Sequence, residues 1–92
     1  MRRKVMETLK IVGEQNFQRI CQEAGLTERE KSILRKFLAA WDARVDTMPS
    51  ADKIERGDLM MEMFNQATAW LDRSRKERVA SAFMRIFFVF GS

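Results

Sequence analysis

Two pairs of carboxylates in this chain have a spacing at which they could work together, Asp42 with Asp46 and Asp58 with Glu62. Four residues apart, both members of a pair lie on one face of a helix, and two carboxyls held in different environments can serve as general acid and base. Their sequence neighbours point elsewhere. Glu55 and Asp58 flank Arg56, and Asp72 adjoins Arg73, so ordinary ion pairing along a helix surface accounts for the acidic residues. The chain has no histidine, which removes the commonest general base and the commonest metal ligand together. Tyrosine is absent as well, and Cys21 is the only cysteine. A zinc site needs several thiolate or imidazole ligands, whereas one thiol on the apolar side of a helix is ordinarily a small core residue. No glycine-rich phosphate loop follows a strand pattern. These residues predict a non-enzymatic, metal-free protein without a cofactor.

The elements that carry these side chains are helical. With 46% hydrophobic and 33% charged residues the chain lies far from the composition of disordered segments. One proline and four glycines among 92 residues leave room for few loops. The reading is all-α: residues 1–92 as a single domain, a small bundle of about four helices with short loops and antiparallel neighbours. A lone cysteine cannot form an internal disulfide, and Arg2-Arg3-Lys4 has no apolar core region behind it, so a cytoplasmic protein without a secretory leader is expected.

Met6, Leu9, Gly13, Phe17, Ile20 and Ala24 recur at spacings of three and four and predict a first helix over about residues 3–24. Gly13 on that face either admits a close neighbour or marks a break, and Gly25 reads as the C-terminal stop. Thr27-Glu-Arg-Glu30 has the form of a capping box and opens a second helix. Its stripe is Ile33, Leu34, Phe37, Leu38, Trp41 and Val45, opposed by Arg29, Lys36 and Arg44, and Met48-Pro49-Ser50 ends it. A third helix starts near Asp52-Lys-Ile-Glu55 and bends or restarts at Gly57-Asp58. Met60, Met61, Met63, Phe64, Ala67, Trp70 and Leu71 then cover two adjacent stripes, a face wide enough for two neighbours. Ser74-Arg-Lys-Glu77 reads as a further capping box that opens the last helix.

Gly25-Leu-Thr-Glu-Arg-Glu30, with Ile33 and Leu34, resembles the opening of the helix-turn-helix domain of LuxR-type regulators and sigma-factor region 4. The resemblance covers about ten residues. It implies a supporting helix over 51–56, a turn at Gly57 and a DNA-reading helix from Asp58. That helix departs from the pattern, because Asp58 and Glu62 would face phosphates and Met60, Met61 and Met63 would stand where polar base-reading side chains belong.

The final run, Val79 to Phe90, is almost wholly apolar, and from Phe83 onward only Arg85 interrupts it. A helix apolar on every side is buried, covered by another subunit or inserted in a membrane. Twelve residues fall short of the span of a bilayer, so no membrane span is expected. Seven methionines also stand out, and methionine suits adaptable binding surfaces as well as irregular cores.

The functional expectation is a small adaptor, inhibitor or regulator that occludes a partner's surface, with a profile shared by compact phage and plasmid proteins. The expected contact residues are Met60, Met63, Phe64, Trp70, Phe83, Phe87, Phe88 and Phe90. Arg73, Arg75, Lys76 and Arg78 would steer an acidic protein partner or a larger complex, and homo-oligomerisation through the last helix is expected. The alternative is a nucleic-acid-associated regulator with the basic cluster, and Arg2, Arg3 and Lys4, on phosphates. Net charge of +4 is compatible with both.

Overall fold

Gly13 divides what periodicity reads as one opening helix. Its backbone sits at φ 85°, ψ 146°, a region essentially reserved for glycine. The structure is a computed structural model that describes residues 8–47 and 53–90, without the side chains of Thr8, Leu9, Asp46, Lys53, Val89 and Phe90. The described residues form five helices and no strand: α1 (Thr8–Val12), α2 (Glu14–Glu23), α3 (Glu28–Asp46), α4 (Lys53–Ala67) and α5 (Arg73–Phe90). The all-α class stands as read, and the count rises from about four to five because of the break at Gly13. Met6, the Met48-Pro49-Ser50 stop, the Asp52 cap and the basic residues at 2–4 lie outside the described residues.

Gly25 stops α2 in the expected way. At φ 74° it occupies the left-handed position after the helix. The Leu26 amide donates to the Cys21 carbonyl at 3.0 Å and the Gly25 amide to Gln22 at 3.0 Å, the paired bonds of a Schellman ending. Leu26 and Cys21 are both buried beneath it. Two residues later the Thr27 box is complete: the Glu30 amide donates to Thr27 Oγ1 at 3.2 Å, and the Thr27 amide donates to Glu30 Oε1 at 2.9 Å.

Three expectations are corrected here. First, α4 runs through Gly57 as one unbroken helix, so there is no restart at Gly57-Asp58. The helix-turn-helix arrangement requires a turn there, so its supporting and reading helices do not exist as separate elements. Second, α5 is capped by Asp72 and not by Ser74: the Arg75 amide donates to Asp72 Oδ1 at 2.9 Å, while Glu77 reaches Arg73 at 3.5 Å on the surface. Third, α5 has a polar side over its first part, up to Arg85, while Met84 and Phe88 keep the outer face of its last turns apolar. Val79, Ala82, Phe83 and Ile86 are buried, and Glu77, Arg78, Ser81 and Arg85 are exposed opposite them. Arg85 holds Glu23 of α2 at 2.6 Å. The charges sit early in the helix and the phenylalanines late, which makes the run look uniformly apolar when only its end is read.

The core closes around α5. Phe37 of α3, Phe64 of α4 and Phe83 of α5 meet with ring centroids 4.9 to 5.4 Å apart, and Phe87 stands edge-on to Phe83 at 4.6 Å. Such offset and edge-to-face contacts add about 0.5–1.5 kcal/mol per pair beyond area burial. Phe17, Cys21, Leu34, Leu38, Val79 and Ile86 fill the other half and are fully enclosed. Burial pushes the Cys21 thiol above its usual range, which suits a packing role. Because Phe37 and Phe64 touch at similar distances from the connection between α3 and α4, those two helices double back on each other as antiparallel neighbours.

Candidate binding groove

Beside the aromatic junction α3 and α4 part, leaving an open groove of about 720 Å³. The α3 wall carries Arg29, Ser32, Ile33, Lys36, Phe37 and Ala40. These positions follow the three-and-four spacing of one helix face. Met63, Gln66 and Ala67 of α4, with Trp70 in the turn beyond it, form the other wall. The groove stays open for a reason visible in residue size, since Ala40 and Ala67 face it where larger side chains would interlock.

Trp70 is held out by the way α4 ends. The Thr68 hydroxyl, buried, donates to the Phe64 carbonyl at 2.8 Å, and the Leu71 amide donates to the Thr68 carbonyl at 3.0 Å. Thr68 and Leu71 turn inward and Trp70 turns outward, 79% exposed. An indole this exposed gives up most of the burial that its large apolar surface would return in a core.

The predicted contact residues separate into groups. Met63 and Trp70 both line the groove. Met60 is half-buried against the core. Phe64 and Phe83, 4% and 3% exposed, belong to the aromatic junction, which corrects their assignment to a surface. Phe87 packs against the same cluster. Phe88 is 80% exposed on α5, with Met84 one turn before it also exposed. The side chain of Phe90 lies outside the described residues. Ile33, Lys36, Arg29 and Ala40 were not among the predicted contacts. The signal for them was spacing: Arg29, Ile33, Lys36 and Ala40 follow one another at intervals of three and four, so the cations share a face with the edge of the apolar stripe and do not oppose it.

The basic cluster also divides. Arg75 is a structural residue: its Nε donates to Glu30 Oε2 at 2.5 Å, its Nη2 to Glu30 Oε1 and to the Gly25 carbonyl at 3.0 Å. One guanidinium thereby ties the end of α2 and the start of α3 to the start of α5. The Arg75 guanidinium, with burial opposing it, holds the Glu30 carboxyl down to about 2. Arg73 is exposed beside Glu77. Arg78 lies over the backbone of Gly25, its Nη1 2.6 Å from where a Cβ would stand, and Lys76 is partly buried. The four cations therefore do not form one free patch.

Elsewhere, too, cations hold carboxylates. Arg35 forks onto Glu14 with its charge 4.4 Å above the Phe17 ring, and Lys31 meets Glu28 at 3.0 Å. Arg29 and Lys36 differ, for neither meets a carboxylate among the described residues, and no acidic residue lines the groove. Of the carboxylate pairs first considered, Asp58 and Glu62 are exposed, Asp42 is buried and the Asp46 side chain lies outside the described residues. No described helix is long and apolar enough to cross a membrane. Comparison with known proteins found no family model, no curated protein and no solved structure that matches the chain.

Proposed function

We propose that this chain is a non-enzymatic interaction module, a small adaptor, inhibitor or regulator that works by occupying a partner's surface, with the α3–α4 groove as its contact site. The observation that carries the reading is Trp70, an exposed indole beside Met63 and Ile33 at the mouth of an open, mainly apolar groove. Exposed apolar surface of this kind commonly marks a place of association, and tryptophan in a pocket is a frequent energetic centre of an interface. A cytoplasmic setting accords with the unpaired Cys21 thiol. The Met84–Phe88 ridge on α5 is a second apolar strip, and self-association belongs there on this reading.

A nucleic-acid role draws less support. With Arg75 engaged by Glu30 and Arg73 beside Glu77, too few cations of that cluster stay free to follow a phosphate backbone. The test is capture of a partner from the native host on the immobilised protein, repeated with Trp70→Ala, Phe88→Ser and Lys76→Ala/Arg78→Ala. The groove reading expects capture to be lost with Trp70→Ala while the melting temperature is unchanged. Retention by that variant and loss with Phe88→Ser would move the site to α5. A DNA or RNA shift abolished by the Lys76/Arg78 variant would replace the reading altogether.

A further inference from the structure

The occupant of the groove has a recognisable chemistry. We propose that it is an amphipathic α-helix of another protein bearing acidic residues on the flank of its apolar stripe, an inference that rests on the groove being the contact site.

The shape argues for a helix. From Arg29 to Ala40 the α3 wall rises about 16 Å, which is about three helical turns, and the groove lies between two antiparallel helices whose walls are Ile33 and Phe37 on one side and Met63 and Ala67 on the other. An amphipathic helix laid there places anchors at i, i+3 or i+4, and i+7. Met63 can adjust its rotamers to such anchors, and Trp70 closes one end.

The charge argues for acid. Arg29 and Lys36 stand seven residues apart on the same face of α3, and Arg44, exposed, continues that face beyond the lining. Seven residues is two turns, so a helix lying alongside would meet this rail with carboxylates at the same two-turn interval. Arg35, Arg75 and Arg85 are each engaged by a carboxylate of this chain, whereas Arg29 and Lys36 face an apolar groove with no carboxylate in its lining. A nucleic acid would meet the two cations and leave the apolar walls uncovered. A second copy of the chain would bring exposed Arg85 beside its Met84–Phe88 strip, a cation where this rail calls for carboxylates.

The experiment is a displayed library of helical peptides, each about 20 residues long, with leucine fixed at the anchor positions and the flanking positions drawn equally from Glu, Gln and Lys. It is sorted against the wild type, Arg29→Glu/Lys36→Glu, and Met63→Ser/Trp70→Ala. Wild type is expected to enrich Glu at flank positions two turns apart, with affinities about tenfold above the matched Lys peptides, a factor equal to about 1.4 kcal/mol. The charge-reversed variant is expected to enrich Lys instead, and the Met63/Trp70 variant to enrich neither. Enrichment of Gln or Lys on wild type, still lost with Met63→Ser/Trp70→Ala, overturns the acidic assignment while the groove remains the contact site. Binders indifferent to Met63 and Trp70, or none at all, overturn both. A wild-type dimer in light scattering that Trp70→Ala converts to monomer identifies a second copy as the occupant. Displacement of the selected peptide by single-stranded or duplex DNA at physiological salt identifies a nucleic acid. Either result removes the proposal.

Discussion

The aromatic junction of α3, α4 and α5 and the groove that opens beside it share Phe37 and differ in almost every other respect. In the junction, rings from three helices interlock and exclude water. In the groove, Ala40 and Ala67 leave a gap and Trp70 stands in solvent. Charges follow the same division, since Arg75 is forked onto buried Glu30 near the start of α5, while Arg29 and Lys36 of the groove meet no carboxylate among the described residues. The same two helices thus present one face whose side chains satisfy each other and one whose side chains do not. Residues of the first kind hold the fold, and residues of the second kind are available to a partner.

The sharpest way to break this contrast is to truncate one aromatic from each region. Phe83→Ala is expected to destabilise the protein by about 3–5 kcal/mol, the usual cost of emptying a ring from a closed core. Trp70→Ala is expected to change stability by no more than about 0.5 kcal/mol, as for an ordinary surface substitution. Denaturant titration of both variants gives the comparison, and similar losses from the two would erase the distinction between junction and groove.

The next effect is the acid limb of stability. Glu30 titrates at about 2 in the fold against an ordinary value of 4.5, held down mainly by Arg75. A carboxyl depressed by folding stabilises the protein above its unfolded value, and that contribution is lost as pH falls through the folded one. Unfolding free energy should therefore be level above about pH 5 and decline between about pH 5 and 2. Arg75→Ala should flatten that decline and lower stability at neutral pH. Glu14, also at about 2 through Arg35, is exposed and screened by solvent, so Arg35→Ala should flatten it less. Equal effects of the two arginines would place Glu30 in the same solvent-screened class as Glu14.

Smallest are two glycine substitutions with opposite signs. Gly13→Ala forces a side chain into a conformation reserved for glycine and should cost about 1–3 kcal/mol. Gly57→Ala, in the interior of α4 with nothing within 4 Å of the new methyl, should gain about 0.5–1 kcal/mol. Thermal melts of the pair test the five-helix description, because a continuous opening helix would make Gly13→Ala stabilising too.

Much of the fold was legible in local chemistry. The Thr27 box, the Gly25 stop and the stripe from Leu34 to Trp41 each rest on a short-range rule that tertiary packing had no cause to override. The end of α5 was harder. Its phenylalanines look like an exposed interface until Phe37 and Phe64 are known to meet Phe83, a contact among three distant segments that no local pattern contains. The basic cluster misled for the same reason: Arg75 belongs to Glu30, forty-five residues earlier. Of the contact site, Met63 and Trp70 were readable as an adaptable stripe. Arg29 and Lys36 read as a solvated face, and they line a groove only because α4 lies across from them with alanines in between.

Methionine methyl groups report on both regions at once. In a protein labelled with ¹³C at its methionine methyls, Met63 lines the groove, Met61 sits on the far side of α4 and Met84 precedes Phe88 on α5. Titration with the acidic helical peptide selected on the wild type is expected to shift the Met63 resonance, leaving those of Met61 and Met84 in place. Movement of Met84 with Met63 unchanged would contradict the account, because the contact surface would then be the end of α5 and the groove would be empty space between two helices.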